Sequence, residues 1–389
     1  MEQWKKYQLK DVTTLLGDGL HGTPKYDKNG TVFFINGNNL VDGKIEIKDS
    51  TKRVSEDEAN KYRKNLNHRT ILVSINGTIG NVAKYQGEAC ILGKSACYFN
   101  VAEDFDLNFI YYVVASQQFK NSIMHLATGT TIKNVSLETM RNYSFVAPSI
   151  NEQKRISSLL SSLDNKIDLN RRINDNLEQQ AQALFDHYFD SGSIYLEDSI
   201  MGCLTDIAVY LNGLAMQKFP ATDIERSLPV LKIKELGQRK CDDCSDRCSD
   251  SIDADYIIDN EDIIFSWSGT LMVDVWCGGK CGLNQHLFKV TPLKNYPRWF
   301  VYYWTNRHLK KFKLIAKDKA VTMGHIRRGD LENAEVAIPT NLNMLEINAR
   351  INPLFQSIID RRLEITKLEN IRDALLPKLM SGELTINEI

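Results

Sequence analysis

The stretch from Asn151 to Phe189 limits what the rest of this chain can be. It has no glycine or proline and is rich in Leu, Ile, Gln, Glu, Lys and Arg. Globular helices usually stop well short of such a length. Apolar residues recur at Ile156, Leu160, Leu163, Ile167, Leu177, Ala181 and Leu184, the alternating four-three spacing of a coiled-coil seam. Asn170 and Asn174 take its central positions. Polar seam residues fix register at some cost in stability. Ser149-Ile-Asn-Glu152 reads as a capping box and Gly192 as the stop. At about 1.5 Å per residue this is a rod of roughly 60 Å. Its stripe needs a partner.

The partner lies near the C-terminus, from about Asn343 to Met380. A shift of 191 positions lays one stretch on the other: Ile156 falls on Ile347, Leu177-Glu178 on Leu368-Glu369, and Ala183-Leu184-Phe185 on Ala374-Leu375-Leu376. The second seam runs through Ile347, Ile351, Leu354, Ile358, Ile365, Leu368 and Leu375. Asn343-Met-Leu-Glu346 reads as a second capping box. Pro377 breaks the pattern one turn from the end, and Ser381-Gly382 stops it. Upstream, Val146-Ala-Pro148 falls on Ala337-Ile-Pro339, Thr131 on Thr322, and Leu92-Gly-Lys-Ser95 on Leu283-Asn-Gln-His286; near Gly77-Thr78 and Gly269-Thr270 the offset slips to 192. The chain is therefore a tandem duplication: a globular unit over 1–148, a helix over 149–191, a second globular unit over 192–340, and a helix with a tail over 341–389.

Each globular unit reads as α+β. Strand-like runs cover Thr31–Ile35, Thr70–Ile75, Val82–Tyr85 and Ala96–Asn100, with a helical pattern over Asn108–His125. The second unit repeats this over Val230–Ile233, Asp262–Trp267, Leu287–Val290 and Arg298–Lys313. The expected fold is α+β, a tandem repeat of two heads, each followed by a long helix, the two helices pairing as an antiparallel coiled coil. That pairing would put the heads at opposite ends of the rod.

Net charge is −1, so any nucleic-acid contact must come from a local face rather than from bulk charge. No apolar run is long enough to span a membrane, and the N-terminus lacks a signal-peptide core. These features predict a cytoplasmic protein whose eight cysteines are reduced thiols.

Catalytic signatures are missing. There is no phosphate loop, dinucleotide fingerprint, HExxH or GxSxG, and no Asn-Pro-Pro-aromatic tetrapeptide. Cys241, Cys244 and Cys248, with Cys277 and Cys281 downstream, make half of a zinc pattern; their Asp- and Ser-rich surroundings suggest a solvated loop without metal. Phe185, Tyr188 and Phe189 extend beyond the seam, either to dock a subunit or to pack on the adjoining head. Charged residues of the helices, among them Lys154, Arg155, Arg171, Arg361 and Arg362, are expected on outward faces.

Several loops mix cations with amides and hydroxyls. The first head offers His21, Thr23, Lys25, Tyr26, Asn36, Asn38, Asn39, Asn76, Thr78, Lys94, Thr130, Thr131, Lys133 and Asn134. The second offers Gln217, Lys218, Lys232, Lys234, Ser268, Thr270, Asn284, Gln285, His286, Thr322, Gly324, His325, Arg327 and Arg328. Amides can read adenine bidentately and Arg or Lys can read guanine, while hydroxyls and lysines hold phosphates. These are also ordinary turn residues. Singly each loop reads more readily as a solvated turn; the matched placement of Thr128–Asn134 and Thr322–Arg328, each just before its unit's last strand, brings that pair to an even balance with the DNA reading. The competing reading is a coiled-coil scaffold or adaptor whose heads bind protein.

The organisation resembles the specificity subunit of type I restriction-modification systems. The resemblance rests on Pro148-Ser-Ile-Asn-Glu152-Gln153-Lys-Arg-Ile156, on Leu163-Asp164-Asn-Lys166-Ile167-Asp-Leu-Asn170-Arg171-Arg172-Ile173-Asn174, on Leu177-Glu178 through Ala183-Leu184-Phe185, and on Leu375-Leu376-Pro377-Lys-Leu-Met-Ser381-Gly382-Glu383-Leu384. It implies two target-recognition domains, each reading half of a split double-stranded DNA site. It implies paired helices acting as ruler and as platform for two modification subunits. S-adenosylmethionine, ATP and Mg are then expected on modification and motor-nuclease partners, with no cofactor and no catalysis on this chain. The second helix lacks the Glu152-Gln153 pair of the first, so partner contacts at that end are expected to differ.

If the helix pair is the ruler, removing one heptad from each helix shortens the rod by about 10 Å. The preferred half-site spacing then falls by roughly three base pairs at about 3.4 Å each. Methylation-site mapping of the shortened variant reads this directly, and an unchanged spacing in a folded variant excludes the ruler.

Overall fold

The structure is a computed structural model that describes residues 4–129, 133–190, 193–224, 226–293, 295–318 and 326–386. It divides into two compact units, Met1–Asn165 with Glu369–Ile389, and Lys166–Leu368.

In the first unit a four-stranded antiparallel sheet runs in the order Thr13–Asp18, Ala96–Val101, Thr70–Ser74, Val82–Lys84. Thr70–Ser74 and Ala96–Val101 are the central strands and are buried at every position, their polar residues included, with Thr70 Oγ1 donating to Asn100 Oδ1 at 2.6 Å. Val32–Ile35 pairs in parallel with Cys90–Leu92. Lys5–Gln8 pairs with Ser144–Ala147, so the strands at which the head opens and closes are neighbours. The core is filled by Phe99, Phe109, Phe119 and, from the two long helices, Ile156, Leu160 and Leu379. The expected helix Asn108–His125 is two helices, Leu107–Ala115 and Gln117–His125. Ser116 separates them in extended conformation, its hydroxyl accepting from the Phe119 N–H at 3.1 Å and donating to Val113 O at 2.7 Å.

The second unit repeats the plan. Its sheet runs Ala208–Asn212, Leu287–Pro292, Ile263–Ser266, Met272–Val275. Ser227–Leu231 pairs in parallel with Cys281–Leu283, and Ile200–Cys203 pairs with Glu335–Ile338. The helical pattern from Arg298 again splits, into Arg298–Arg307 and Leu309–Asp318.

The long helices are Ile150–Phe189, 40 residues, and Asn341–Ser381, 41 residues. They are antiparallel in both units. In the first, Ile156 and Leu160 share a core with Leu379, and Arg372 Nη1 reaches Asp164 Oδ1 at 2.9 Å. In the second, Asn170 Nδ2 donates to Glu364 Oε2 at 2.8 Å and Asn174 Nδ2 to Ile358 O at 3.3 Å. The two polar seam residues thus bond across the helix pair, as their register-fixing role requires. Of the expected seam, Ile156, Leu160, Ile167, Ile347, Ile351 and Ile358 are buried, whereas Leu163, Leu177, Leu184, Leu354, Ile365, Leu368 and Leu375 are half-buried.

Two details differ from expectation, and a third decides between two readings left open. The second helix starts at Asn341, and Thr340 Oγ1 caps it by accepting from the Asn343 N–H at 3.4 Å; Glu346 pairs instead with Arg350. Pro377 lies inside that helix, which continues to Ser381 before Gly382 turns the chain at φ +77°. Phe185, Tyr188 and Phe189 form no outer docking surface: they are buried in the second head's core, Phe185 stacked 5.3 Å from Tyr303. Gly192 lies outside the described residues.

Gln153 is 2% exposed. Its Oε1 accepts from the Asp106 N–H at 3.0 Å and its Nε2 donates to Pro148 O at 2.9 Å. It therefore joins helix to head rather than facing a partner, and Met344, 191 positions on, packs against the second core.

Arg362, expected on an outward face, is 8% exposed. Its Nη1 donates to Asp274 Oδ1 at 2.6 Å and its Nη2 to Glu178 Oε1 at 2.7 Å. Burial opposes its charge, but the two carboxylates hold its pKa above the ordinary value. Truncating one member of a buried ion pair leaves the other charge stranded, at about 3–5 kcal/mol. R362M should lower the second unit's stability by about that amount, and D274A/R362M should recover part of the loss. Urea denaturation followed by tryptophan fluorescence tests this, since Trp267, Trp276, Trp299 and Trp304 all lie in that unit.

Candidate nucleic-acid interface

Each head gathers its polar loops around one backbone crossing. In the first, the Leu20 N–H donates to Leu92 O at 2.7 Å, the Gly93 N–H to Ile35 O at 2.8 Å, and the Ala96 N–H to Gly93 O at 3.0 Å. In the second, Leu214 bonds to Leu283 O at 3.0 Å, Asn284 to Leu231 O at 3.2 Å, and Leu287 to Asn284 O at 3.0 Å. The crossing needs glycine. A Cβ on Gly19 would stand 2.2 Å from Leu92 O, and one on Gly213 would stand 2.2 Å from Asn284 O. The last loop joins by a matched bond, Val135 N–H to Ile75 O at 2.9 Å and Ile326 N–H to Trp267 O at 3.1 Å.

In the first head this brings four loops together. Ser95 Oγ accepts from the Gly37 N–H at 2.9 Å and donates to Asn36 Oδ1 at 3.0 Å, and the Ile75 N–H bonds to Ser95 O at 2.9 Å. Ser74 Oγ lies 3.2 Å from Thr78 Oγ1. Asn76 and Asn134 form an isolated bridge, with Asn76 Nδ2 to Asn134 Oδ1 at 3.5 Å. Asn38, Thr78, Lys94 and Lys133 are exposed around this centre. Thr23, Lys25 and Tyr26 are exposed on the neighbouring loop. His21 there is also exposed but pairs with Asp18 at 2.6 Å. The Lys25 N–H donates to Glu58 Oε1 at 2.8 Å; that bond first, then Lys61, holds the Glu58 carboxyl below its ordinary pKa.

In the second head Gln217, Lys232 and Asn284 line one shallow pocket. Gln217, Lys218, Thr270 and Arg327 are exposed. Gln285 Nε2 and His286 Nε2 lie 3.3 Å apart, and the His286 ring is 6.1 Å from Trp267. His286 Nδ1 is buried without a hydrogen-bond partner.

Some nominated residues serve the loops themselves. Asn39 is 4% exposed; its Nδ2 donates to Glu46 O at 3.0 Å and Thr51 Oγ1 at 3.1 Å, and its Oδ1 accepts from the Asn36 N–H at 3.0 Å. Asn284 and Ser268 are equally enclosed, Asn284 Oδ1 accepting from the His286 N–H at 3.2 Å. Lys232 is ion-paired with Asp246, Lys234 lies 3.8 Å from both Glu235 and Asp242, and Arg328 lies 3.5 Å from Glu332. Thr130, Thr131, Thr322, Gly324 and His325 lie outside the described residues.

Ser74, Ser95, Trp267 and the two crossing glycines were not nominated, yet they hold the loops in place. Ser95 could have been found, because it ends the run Leu92–Ser95 that matches Leu283–His286. The cysteines disperse: Cys277, Cys281 and Cys248 enter three separate apolar clusters and Cys244 is exposed. Cys281 hydrogen-bonds to Cys241, which holds the Cys241 thiol below and the Cys281 thiol above the ordinary value. Among the described residues no group of His, Cys, Asp or Glu is placed to hold a metal ion, and no helix is long and apolar enough to cross a membrane.

A family model described as the type I restriction modification DNA specificity domain matches residues 1–179 and 201–372. The type I restriction enzyme MjaIX specificity subunit of Methanocaldococcus jannaschii is 24% identical over 303 residues, 72% of this chain and 70% of that relative. The EcoBI specificity subunit of Escherichia coli is 20% identical over 358 residues, 81% and 73% of the two chains. The crystal structure of the type I restriction-modification S subunit from M. genitalium is similar in fold, with a TM-score of 0.57 at 19% identity, covering 97% of this chain and 96% of that one. The chain belongs to the family of type I restriction-modification DNA specificity proteins.

Both crossing glycines fall within the matched segments. G19A or G213A forces a methyl group against backbone, and overpacking of this kind typically costs about 1–3 kcal/mol. Each variant should lose stability in its own unit and gain amide hydrogen exchange at the loops of that head alone, as read by mass spectrometry.

Proposed function

We propose that this member of the family is the DNA-reading, non-catalytic specificity subunit of a type I complex, each head recognising one half of an asymmetric, bipartite duplex site. One observation carries the reading. The two heads share the glycine crossing, its hydrogen bonds and its loop placement, yet carry different side chains around it: Lys94 against Gln285, and Asn76 against the enclosed Ser268. A common backbone carrying unlike donors and acceptors suits a reader of two unlike base sequences, because base edges supply specificity while the frame sets register.

Two modification subunits that methylate adenine, and restriction subunits that drive translocation and cleavage, supply the chemistry in this reading. S-adenosylmethionine, ATP and Mg reside on those partners, and the complex works in the cytoplasm. The uninterrupted helices support a spacer between half-sites and a platform for the modification subunits. The chain's near-neutral charge fits a reader that borrows phosphate contacts from partners, because charge supplies much of DNA affinity.

Methylome sequencing of a host expressing this chain with its modification partner should return one asymmetric motif with a fixed gap. Exchanging only residues of the second head's loops, Gln217, Gln285 and Arg327, should alter one half of the motif and leave the other half and the gap intact. A single uninterrupted motif, or changes in both halves, would sink the reading; a protein-binding scaffold would leave no motif.

A further inference from the structure

We propose that the helix Leu309–Asp318 of the second head is a phosphate-gripping stripe, holding the duplex backbone beside the half-site which that head reads, and that the first head has no equivalent. The inference rests on the DNA-reading function proposed above and adds where the second head's affinity comes from.

The sequence of this helix is Leu-Lys-Lys-Phe-Lys-Leu-Ile-Ala-Lys-Asp. Phe312 is its anchor: it is fully buried, with its ring 5.7 Å from Phe265. Phe265 belongs to the strand Ile263–Ser266, which runs directly into the Trp267–Thr270 turn of the loop cluster. The Ile326 N–H bonds to Trp267 O of the same turn. The helix is thus tied to the loop cluster through its core face.

With Phe312 turned inward, Lys310, Lys313 and Lys317 share the opposite face at helical spacing, and all three are exposed, as is Lys311. No ion pair engages any of the four among the described residues. Several other cations of the unit are neutralised locally, Lys232 by Asp246, Lys289 by Asp262 and Arg298 by Glu261. Like charges stacked along one helix face repel, so the fold gains nothing from this arrangement. A row of lysines does suit phosphate oxygens, which accept a point charge without demanding sequence.

The first head supplies the contrast. Aligned on the buried phenylalanine, Gln117-Gln118-Phe119-Lys120-Asn121-Ser122-Ile123-Met124 stands against Lys310-Lys311-Phe312-Lys313-Leu314-Ile315-Ala316-Lys317. The helix Gln117–His125 keeps the anchor and one lysine. Its Gln117 amide is spent on Asn121 at 2.7 Å. The charge is therefore a property of the second head and not of the shared fold.

The test uses the full chain assembled with its modification subunits, a duplex carrying the mapped site, and an unrelated duplex of equal length. Binding is measured across a salt series for wild type, K310Q/K313Q/K317Q and K310R/K313R/K317R. Each lost phosphate contact lowers the slope of log affinity against log salt by about 0.9. The glutamine variant should therefore lose between about 2 and 3 from that slope, weaken equally on both duplexes, and keep its melting temperature. The arginine variant should keep the wild-type slope. Grafting Q117K/Q118K/M124K onto the first head should steepen it. A glutamine variant that is folded and retains the wild-type slope overturns this inference alone, as does one that loses affinity only on the specific duplex. A wild-type assembly that binds neither duplex overturns the proposed function itself.

Discussion

A helix of forty residues with an apolar stripe cannot stand alone in water, and the way that stripe is covered organises the molecule. A simple coiled coil would cover it with the partner helix throughout. Here Ile156 and Leu160 lie in the first head's core, and Phe185, Tyr188 and Phe189 lie in the second's. The partner helix contributes Leu379 to one core and Ile347, Ile351, Phe355 and Ile359 to the other. Helix pair and heads are thus not separate layers joined by linkers. Each head is completed by a portion of both helices, and each compact unit takes its share of both.

Polar contacts then fix what apolar burial leaves free to slide. Asn170 and Asn174 bond across the helix pair, and Gln153 ties the first helix to the Asp106 N–H. Arg362 binds the second helix to both Glu178 of the first and Asp274 of the head's sheet. Buried charges gain little net stability over apolar packing, but they penalise every arrangement that separates them. A register fixed in this way is what a spacer between two readers needs.

Much of this was legible in the sequence because it was written twice. A constant offset of 191 residues exposed the repeat and the two long helices, and local composition placed the main strands to within a residue or two, whereas the order of strands in the sheet, set by contacts distant in sequence, was not legible. Local signals misled where a nearby competitor existed: Asn343 looked like a cap, but Thr340 already filled that role. Arg362 looked like a solvated charge because its carboxylate partners are 88 and 184 residues away. The loops were legible as places and only partly as contacts. Asn38 and Asn39 are adjacent and chemically identical, yet one is exposed and the other is locked inside by Glu46 and Thr51. Composition cannot tell a strut from a probe; only the partners across the loop can.

The pairing of Lys5–Gln8 with Ser144–Ala147, and of Ile200–Cys203 with Glu335–Ile338, has a topological consequence. In each head the strand of entry and the strand of exit are hydrogen-bonded neighbours, with paired Cα atoms only about 5 Å apart. The second head is therefore a closed excursion between the two long helices, and the first head closes on the strand at which it opens. Residues gained, lost or exchanged in loops outside the cores that the helices share leave that closure intact. Each head is thus built like a cassette, whose loops can vary while its closing strands and the core it shares with the helices stay in place.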